Sequence, residues 1–304
     1  MSKEQSRDKM LIQLCRVLVC FTFLGRAWQH LRWDAPVRAL VWNQSIMEPV
    51  ISGFLGIAWK EWVSNLSVDA GIQGSIRIMG VFYLICALVS LSVSGKTIIR
   101  QRILMAGAAM LFALSVLYYM DQYYRIGQLI EYSLQWSAPL FLVAALRGAL
   151  HHPRFAFALK LAVALTFVGH GCYAAGIYPM PGPFVSMLMN GLGLGENLAR
   201  TVLVAVGYAD FIAAFMLFVP ACQKPAIIYV VVWGTATAFA RLVSNFDGGS
   251  MLAWLNSWGY ETAFRLVHGG MPLLLWFLVR QNKSAAAERT SLGAGADQIL
   301  PQTA

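Results

Sequence analysis

The 304-residue chain is 58% hydrophobic and 12% charged, with a mean hydropathy of +0.61. A soluble globular domain carries about twice that share of charge, so composition excludes a soluble fold and selects an all-α polytopic membrane protein. The net charge of +9 would point to nucleic acid in a soluble chain, but here the basic residues gather in alternate loops, so the charge is read as topology, the lipid bilayer as the partner, and nucleic acid as excluded.

Apolar runs approaching the ~20 residues of a helical span fall near 11–29, 76–94, 103–120, 133–150, 158–177, 201–220, 226–244 and 263–280. None shows the short alternating pattern of a membrane barrel. The first run begins like a signal peptide, but Arg16 interrupts it and no small-x-small cleavage site follows, so it is read as a retained span. With the N-terminus in the cytoplasm, the inner loops hold Lys96, Arg100, Arg154, Lys224 and other basic residues in excess over the outer ones. The positive-inside rule then predicts a multi-pass protein of the cell membrane with both termini cytoplasmic.

The outer segment 34–75 is too polar to span. Pro36 and Pro49 punctuate it, and Trp33, Trp42, Trp59 and Trp62 suit a headgroup region, so short interfacial helices are predicted over 36–42, 46–56 and 58–65. Asn43-Gln44-Ser45 and Asn65-Leu66-Ser67 are sequons within it. A second outer segment, 178–200, contains Asn190-Gly191-Leu192-Gly193-Leu194-Gly195. No strand precedes this run, so it reads as the end of one interfacial helix and the start of the next rather than a nucleotide loop. The tail 284–304 turns to Ala, Ser, Gly and polar residues and is predicted to be disordered.

The chain partly repeats itself. Thr22-Phe23-Leu24-Gly25-Arg26 returns 144 positions later as Thr166-Phe167-Val168-Gly169-His170. Gly80-Val81-Phe82-Tyr83 aligns with Gly207-Tyr208-Ala209-Asp210 at an offset of 127. Gln135-Trp136-Ser137-Ala138-Pro139-Leu140 aligns with His268-Gly269-Gly270-Met271-Pro272-Leu273 at 133. The third spans match poorly. Two four-helix repeats follow, 1–152 with its long outer insert 30–75, and 153–283. An even helix count per half makes them parallel, related by an axis along the membrane normal.

The glycine and cationic turn in Phe23-Leu24-Gly25-Arg26 and Phe167-Val168-Gly169-His170-Gly171, the segment Pro179-Met180-Pro181-Gly182-Pro183-Phe184, and the glycine opening the next span resemble the DoxX-like membrane family, here as a doubled module. Residues 160–220 carry the likeness best. The resemblance implies a four-helix membrane module, and in some relatives quinone-linked oxidation of small sulfur compounds or maturation of redox enzymes. Other relatives use cysteine pairs. Here Cys15, Cys20, Cys86, Cys172 and Cys222 form no C-x-x-C and read as small buried hydrophobes.

Ionisable groups at membrane depth cost on the order of 3 kcal/mol unless paired, so they mark candidate sites. Arg16, Arg26, His170, Asp210, Arg241, Arg265 and His268 qualify, with Gln135 the polar equivalent of His268. Asp210 reads as the one deep carboxylate, with His170, Arg241 or Arg265 as its partner. The site reading assigns proton chemistry to His170, Asp210 and His268, and ligand contacts to Arg26, Arg265 and Gln135, in one pocket near the outer leaflet. Such a set suits a quinone, which needs hydrogen bonds to its carbonyls and proton exchange on reduction. A bis-histidine haem could use only His170 and His268, and no Cys/His cluster has zinc-site spacing. The functional expectation is a quinone-associated redox protein or a subunit beside redox-complex partners. A small-solute transporter and a non-catalytic membrane partner are the alternatives.

Overall fold

The computed structural model describes residues 3–280; the predicted tail 284–304 lies outside them. Helix α1 (Lys3–Arg32) is followed by three short helices, α2 (Arg38–Val41), α3 (Gln44–Ile51) and α4 (Trp59–Ser64). Next come α5 (Leu66–Ser92), α6 (Ile98–Asp121), α7 (Ile126–Glu131) and α8 (Ser133–Leu146). The remainder is α9 (Pro153–Ala174), α10 (Gly182–Leu192), α11 (Glu196–Met216), α12 (Gln223–Ser244), α13 (Met251–Arg265) and, after a turn at Leu266, α14 over 267–280. Taking α7–α8 and α13–α14 as one span each, eight helices are long and apolar enough to cross a membrane. The protein is an all-α polytopic membrane protein, without a strand among the described residues.

Three of the larger boundary differences have one cause. Helix α5 begins at Leu66 and not near 76, α7 at Ile126 and not at 133, and α13 at Met251 and not at 263. Each begins with a polar stretch: Asp69, Gln73 and Arg77; Gln128 and Glu131; Asn256 and Glu261. Hydropathy discards such turns, whereas the backbone continues as helix because its polar side chains find partners. Asn65 caps α5 by accepting from the Ser67 N–H at 2.8 Å. The Arg38 Nη2 group donates to Asp69 Oδ1 at 2.6 Å. Helices α2 and α4 are shorter than predicted at both ends, α3 starts two residues earlier and ends five earlier than predicted, and α10 closes at Gly193 in the left-handed region, φ +67°, as the glycine run implied.

Successive spans run antiparallel. Arg16, midway along α1, donates to Leu91 O near the C-terminal end of α5 at 3.0 Å, while His30, near the C-terminal end of α1, packs on Gly80, earlier in α5. Arg147 Nε of α8 meets Gln101 Oε1 of α6 at 2.7 Å. The Leu134 N–H, freed by the break between α7 and α8, donates to Thr166 Oγ1 of α9 at 3.1 Å. The ring closes because α1 lies against α13 and α14, with Gly25 on Tyr260 and Phe264 and Leu18 on Gly270. The short helices α2–α4 and α10 therefore sit at the same end of the bundle.

Lipid is as apolar as a leucine side chain, so helices in a bilayer associate through close backbone approach at small residues. A Cβ on Gly25 would lie 2.6 Å from Tyr260 O and 2.7 Å from Phe264 N. A Cβ on Gly169 would lie 2.6 Å from both Gly127 O and Glu131 N. The pairs Gly25/Gly169, Tyr260/Gly127 and Phe264/Glu131 are separated by the sequence offsets 144, 133 and 133. Likewise Gly80 abuts His30 and Leu31, and Gly207 abuts Ala175, again at 127 and 144. The helix breaks at Tyr132 and Leu266 agree to within one residue of the same register.

Candidate functional site

Helix α9 starts with Pro153 in its first turn and His152 as cap, its ring nitrogen accepting from the Arg154 N–H at 3.1 Å. Gly169 and Gly171 let the far end of α9 lie directly on α7 and α11, since a Cβ on Gly171 would fall 2.9 Å from Gly207 O. His170 lies between these two contacts. Its Nδ1 is 2.8 Å from Asp210 Oδ2, and the Tyr229 hydroxyl donates to Asp210 Oδ1 at 2.8 Å. Asp210 is 0% exposed. With the carboxylate accepting from both neighbours, His170 Nδ1 is the protonated nitrogen, and in the neutral imidazole Nε2 keeps its lone pair. The His170 ring stacks on Phe184 of α10, with centroids 5.2 Å apart.

His170 borders a cavity of about 60 Å³ together with Glu131, Trp233, Thr237, Arg241, Arg265 and His268. That is room for on the order of four to six waters, and a six-membered ring would extend from it into the adjoining space. Three of the residues that line it hold a buried side-chain nitrogen without a hydrogen-bond partner in the protein: His268 Nε2, Trp233 Nε1 and Arg265 Nε. His268 is 7% exposed, so its unmatched nitrogen costs about 1–3 kcal/mol unless a ligand or water meets it. Above it, Arg241 Nε pairs with Glu261 Oε2 at 2.5 Å, and Arg265 Nη2 stands 3.9 Å from the same oxygen. Glu131, Arg241, Arg265 and Phe184 also line a vestibule of about 210 Å³ with Gln122, Gln128 and Pro181. A larger groove of about 440 Å³ between α8 and α9 is almost wholly apolar, with His152 and Arg154 at one end. Convergent polar groups mark a binding site better than volume does.

The first repeat string builds a different environment. Arg26 is 0% exposed. Its Nε and Nη2 donate to Gln135 Oε1 at 3.1 and 2.5 Å, and its Nη1 donates to Gln29 Oε1 at 2.7 Å. The guanidinium lies 3.8 Å from the Phe264 ring centre and 4.9 Å from that of Tyr132. Neutral oxygens and aromatic faces thus solvate a buried cation, with no carboxylate in ion-pair reach among the described residues. We expect Arg26→Met to destabilise by leaving the Gln135 oxygen unmatched, and adding Gln135→Leu to recover part of the loss. Thermal melts should show coupling of about 1–3 kcal/mol; strictly additive losses would contradict this account.

The structure therefore divides the expected pocket. His170, Arg265 and His268 share one cavity, with Asp210 directly behind His170. Arg26 and Gln135 pair with each other and do not line it. Asp210 pairs with His170 and Tyr229 and not with Arg241 or Arg265, and it is not the one deep carboxylate, because Glu131 is 8% exposed and Glu261 is paired with Arg241. Tyr229, Trp233, Glu131, Arg241 and Glu261 complete the site. Hydropathy alone places the starts of these spans after Glu131 and Glu261, which hides both carboxylates in the sequence, whereas α7 and α13 begin before them. Tyr229 and Trp233 lie on α12, a third span that matches its counterpart poorly.

No family model, curated protein or solved structure matches this chain.

Proposed function

We propose that the protein binds a lipid-soluble molecule with acceptor oxygens, of the quinone type, at the His170–His268 cavity and exchanges a proton with it through His170. The observation that carries this is that three residues lining one small cavity at membrane depth, His268, Trp233 and Arg265, each hold a buried side-chain nitrogen with no partner in the protein. Carbonyl oxygens would satisfy them. His170, with Nδ1–H held by Asp210, offers the opposite chemistry: a nitrogen lone pair suited to accept the proton of a quinol hydroxyl. The vestibule gives that proton a route toward the aqueous phase past Glu131. This reading assigns binding and proton exchange to the chain and leaves electron transfer to a redox partner subunit. It agrees with a doubled DoxX-like module of the cell membrane, termini in the cytoplasm and the vestibule outside. The glycine contacts that share the repeat offsets favour the duplication.

The test is equilibrium dialysis of the purified protein in lipid nanodiscs against a tailless benzoquinone. We expect saturable one-to-one binding, weakened about 5- to 100-fold in His268→Ala and in Trp233→Phe, as loss of a buried hydrogen bond of about 1–3 kcal/mol requires. Binding that is absent from the wild type, or identical in both variants, would refute the reading. A small-solute pathway has less support, since below His268 the span is closed by Met271, Leu274, Leu275 and Leu278, each at most 2% exposed.

A further inference from the structure

We propose that a slot between α10 and α12 admits the ligand sideways from the bilayer and holds its hydrocarbon tail, so that the occupant is an amphipathic molecule with a flat acceptor-bearing head and an apolar chain. This rests on the quinone-type reading of the cavity. The slot has a volume of about 340 Å³. Met187, Leu188, Trp233, Thr237 and Ala240 line both it and the cavity, so the two spaces share a wall formed by these side chains. Apart from Thr237 and the Trp233 indole N–H its lining offers no polar side-chain group, and Thr237 Oγ1 is turned to its own helix, donating to Gly234 O at 3.1 Å.

The slot ends in the lipid. Leu192, Phe239 and Val243 at its mouth are 66%, 43% and 66% exposed on spanning or membrane-level helices. Its opposite wall is α10, whose buried side chains are Phe184 and Val185, and whose Gly191 faces Ser244, so that a Cβ there would sit in ordinary contact, 3.7 Å from Ser244 Cβ. Polarity therefore grades across three adjoining spaces that share lining residues: vestibule with Gln122 and Gln128, charged and histidine-lined cavity, apolar slot. A compact polar solute has no use for the last part. A molecule dissolved in the membrane does, because its tail stays in an apolar medium while the head alone exchanges lipid for hydrogen bonds. Since the tail moves from one apolar medium to another, it adds little affinity; the slot's effect is on which molecules can seat their heads.

The discriminating experiment fills the slot from each wall, with Ala236→Trp on α12 and Gly191→Phe on α10. Both positions are exposed to lipid, and neither touches the histidines. Binding of a decyl-tailed benzoquinone and of the same head without a tail is measured by dialysis in nanodiscs, with ligand counted against lipid. In the wild type both should bind within a few-fold of each other. In the variants the tailed ligand should weaken at least tenfold while the tailless head binds as before, which also shows the variants are folded. If the tailed ligand binds both variants as it binds the wild type, the slot is not its seat, and the cavity reading stands. If the tailless head fails to bind the wild type, the cavity reading falls and the slot with it.

Discussion

Gly207→Ala is expected to lower the melting temperature of the purified protein by several degrees, whereas Gly74→Ala should leave it unchanged or raise it. Both glycines sit in long helices, α11 and α5, where alanine is intrinsically favoured by about 1 kcal/mol. At Gly74 nothing lies within 4 Å of the added Cβ, so that preference acts alone. At Gly207 the Cβ would run into the backbone nitrogen and Cα of Ala175. Backbone cannot rotate away as a side-chain tip can, so α9 and α11 must separate, at a cost of about 1–3 kcal/mol or more. The same separation strains the contact between Gly171 and Gly207 O and pulls His170 from Asp210. With about 2–4 °C per kcal/mol for a chain of this order, differential scanning fluorimetry in detergent resolves the two outcomes. Gly25→Ala and Gly169→Ala should carry matching penalties, because each Cβ meets one carbonyl oxygen and one amide nitrogen at nearly the same distances. Equal tolerance of Gly207→Ala and Gly74→Ala would mean that close backbone approach does not hold this bundle together.

Those glycines explain which parts of the architecture were legible. A span of apolar residues is visible because lipid selects composition directly, and all eight were found. The repeat strings were visible because the positions that must stay small or polar, Gly25, Gly169, Gly80 and Gly207, carry contacts that no other residue type fits. Starts of helices were not visible where polar residues lie under other protein rather than under lipid. Glu131 and Glu261 are the cases that mattered, since hydropathy treats Glu131 as solvent-facing while the fold buries it beside Arg241 and Arg265. The partition of the polar set was also out of reach. Arg26 and His170 hold equivalent places, yet equivalence of position does not say what each side chain meets. Arg26 meets Gln135 and Phe264 and is sealed; His170 meets Asp210 and a cavity. The substitution of Tyr83 by Asp210 at the 127 offset separates the two environments. Tyr83 is buried with its hydroxyl unmatched in the protein, whereas Asp210 draws in two donors.

Asp210→Asn separates ligand holding from proton exchange. The amide keeps the shape of the carboxylate but supplies one acceptor atom and one donor group. Two arrangements are open to it. In the first, its oxygen keeps the 2.8 Å bond from Tyr229, and its NH2 faces His170 Nδ1, which must become the acceptor and move its proton to Nε2. In the second, its oxygen keeps His170 Nδ1–H, and the Tyr229 hydroxyl turns to Val206 O, 3.5 Å away. The first removes the lone pair that would take a quinol proton. The second keeps it but removes the negative charge that would balance a protonated imidazole. Either way quinol affinity should fall about 10- to 100-fold, the worth of a charge-assisted hydrogen bond of about 1.5–3 kcal/mol. The oxidised quinone draws on His268, Trp233 and Arg265, none of which contacts Asp210, so its affinity should change by no more than a few-fold. Dialysis of both redox forms under anaerobic conditions reads this ratio directly. Asp210→Ala serves as the contrast, because it leaves His170 and Tyr229 without partners in the core and should cost stability by about 3–5 kcal/mol as well as proton exchange. If Asp210→Asn weakens quinone and quinol equally, or neither, then His170 holds its place in the bundle without acting on the ligand's proton.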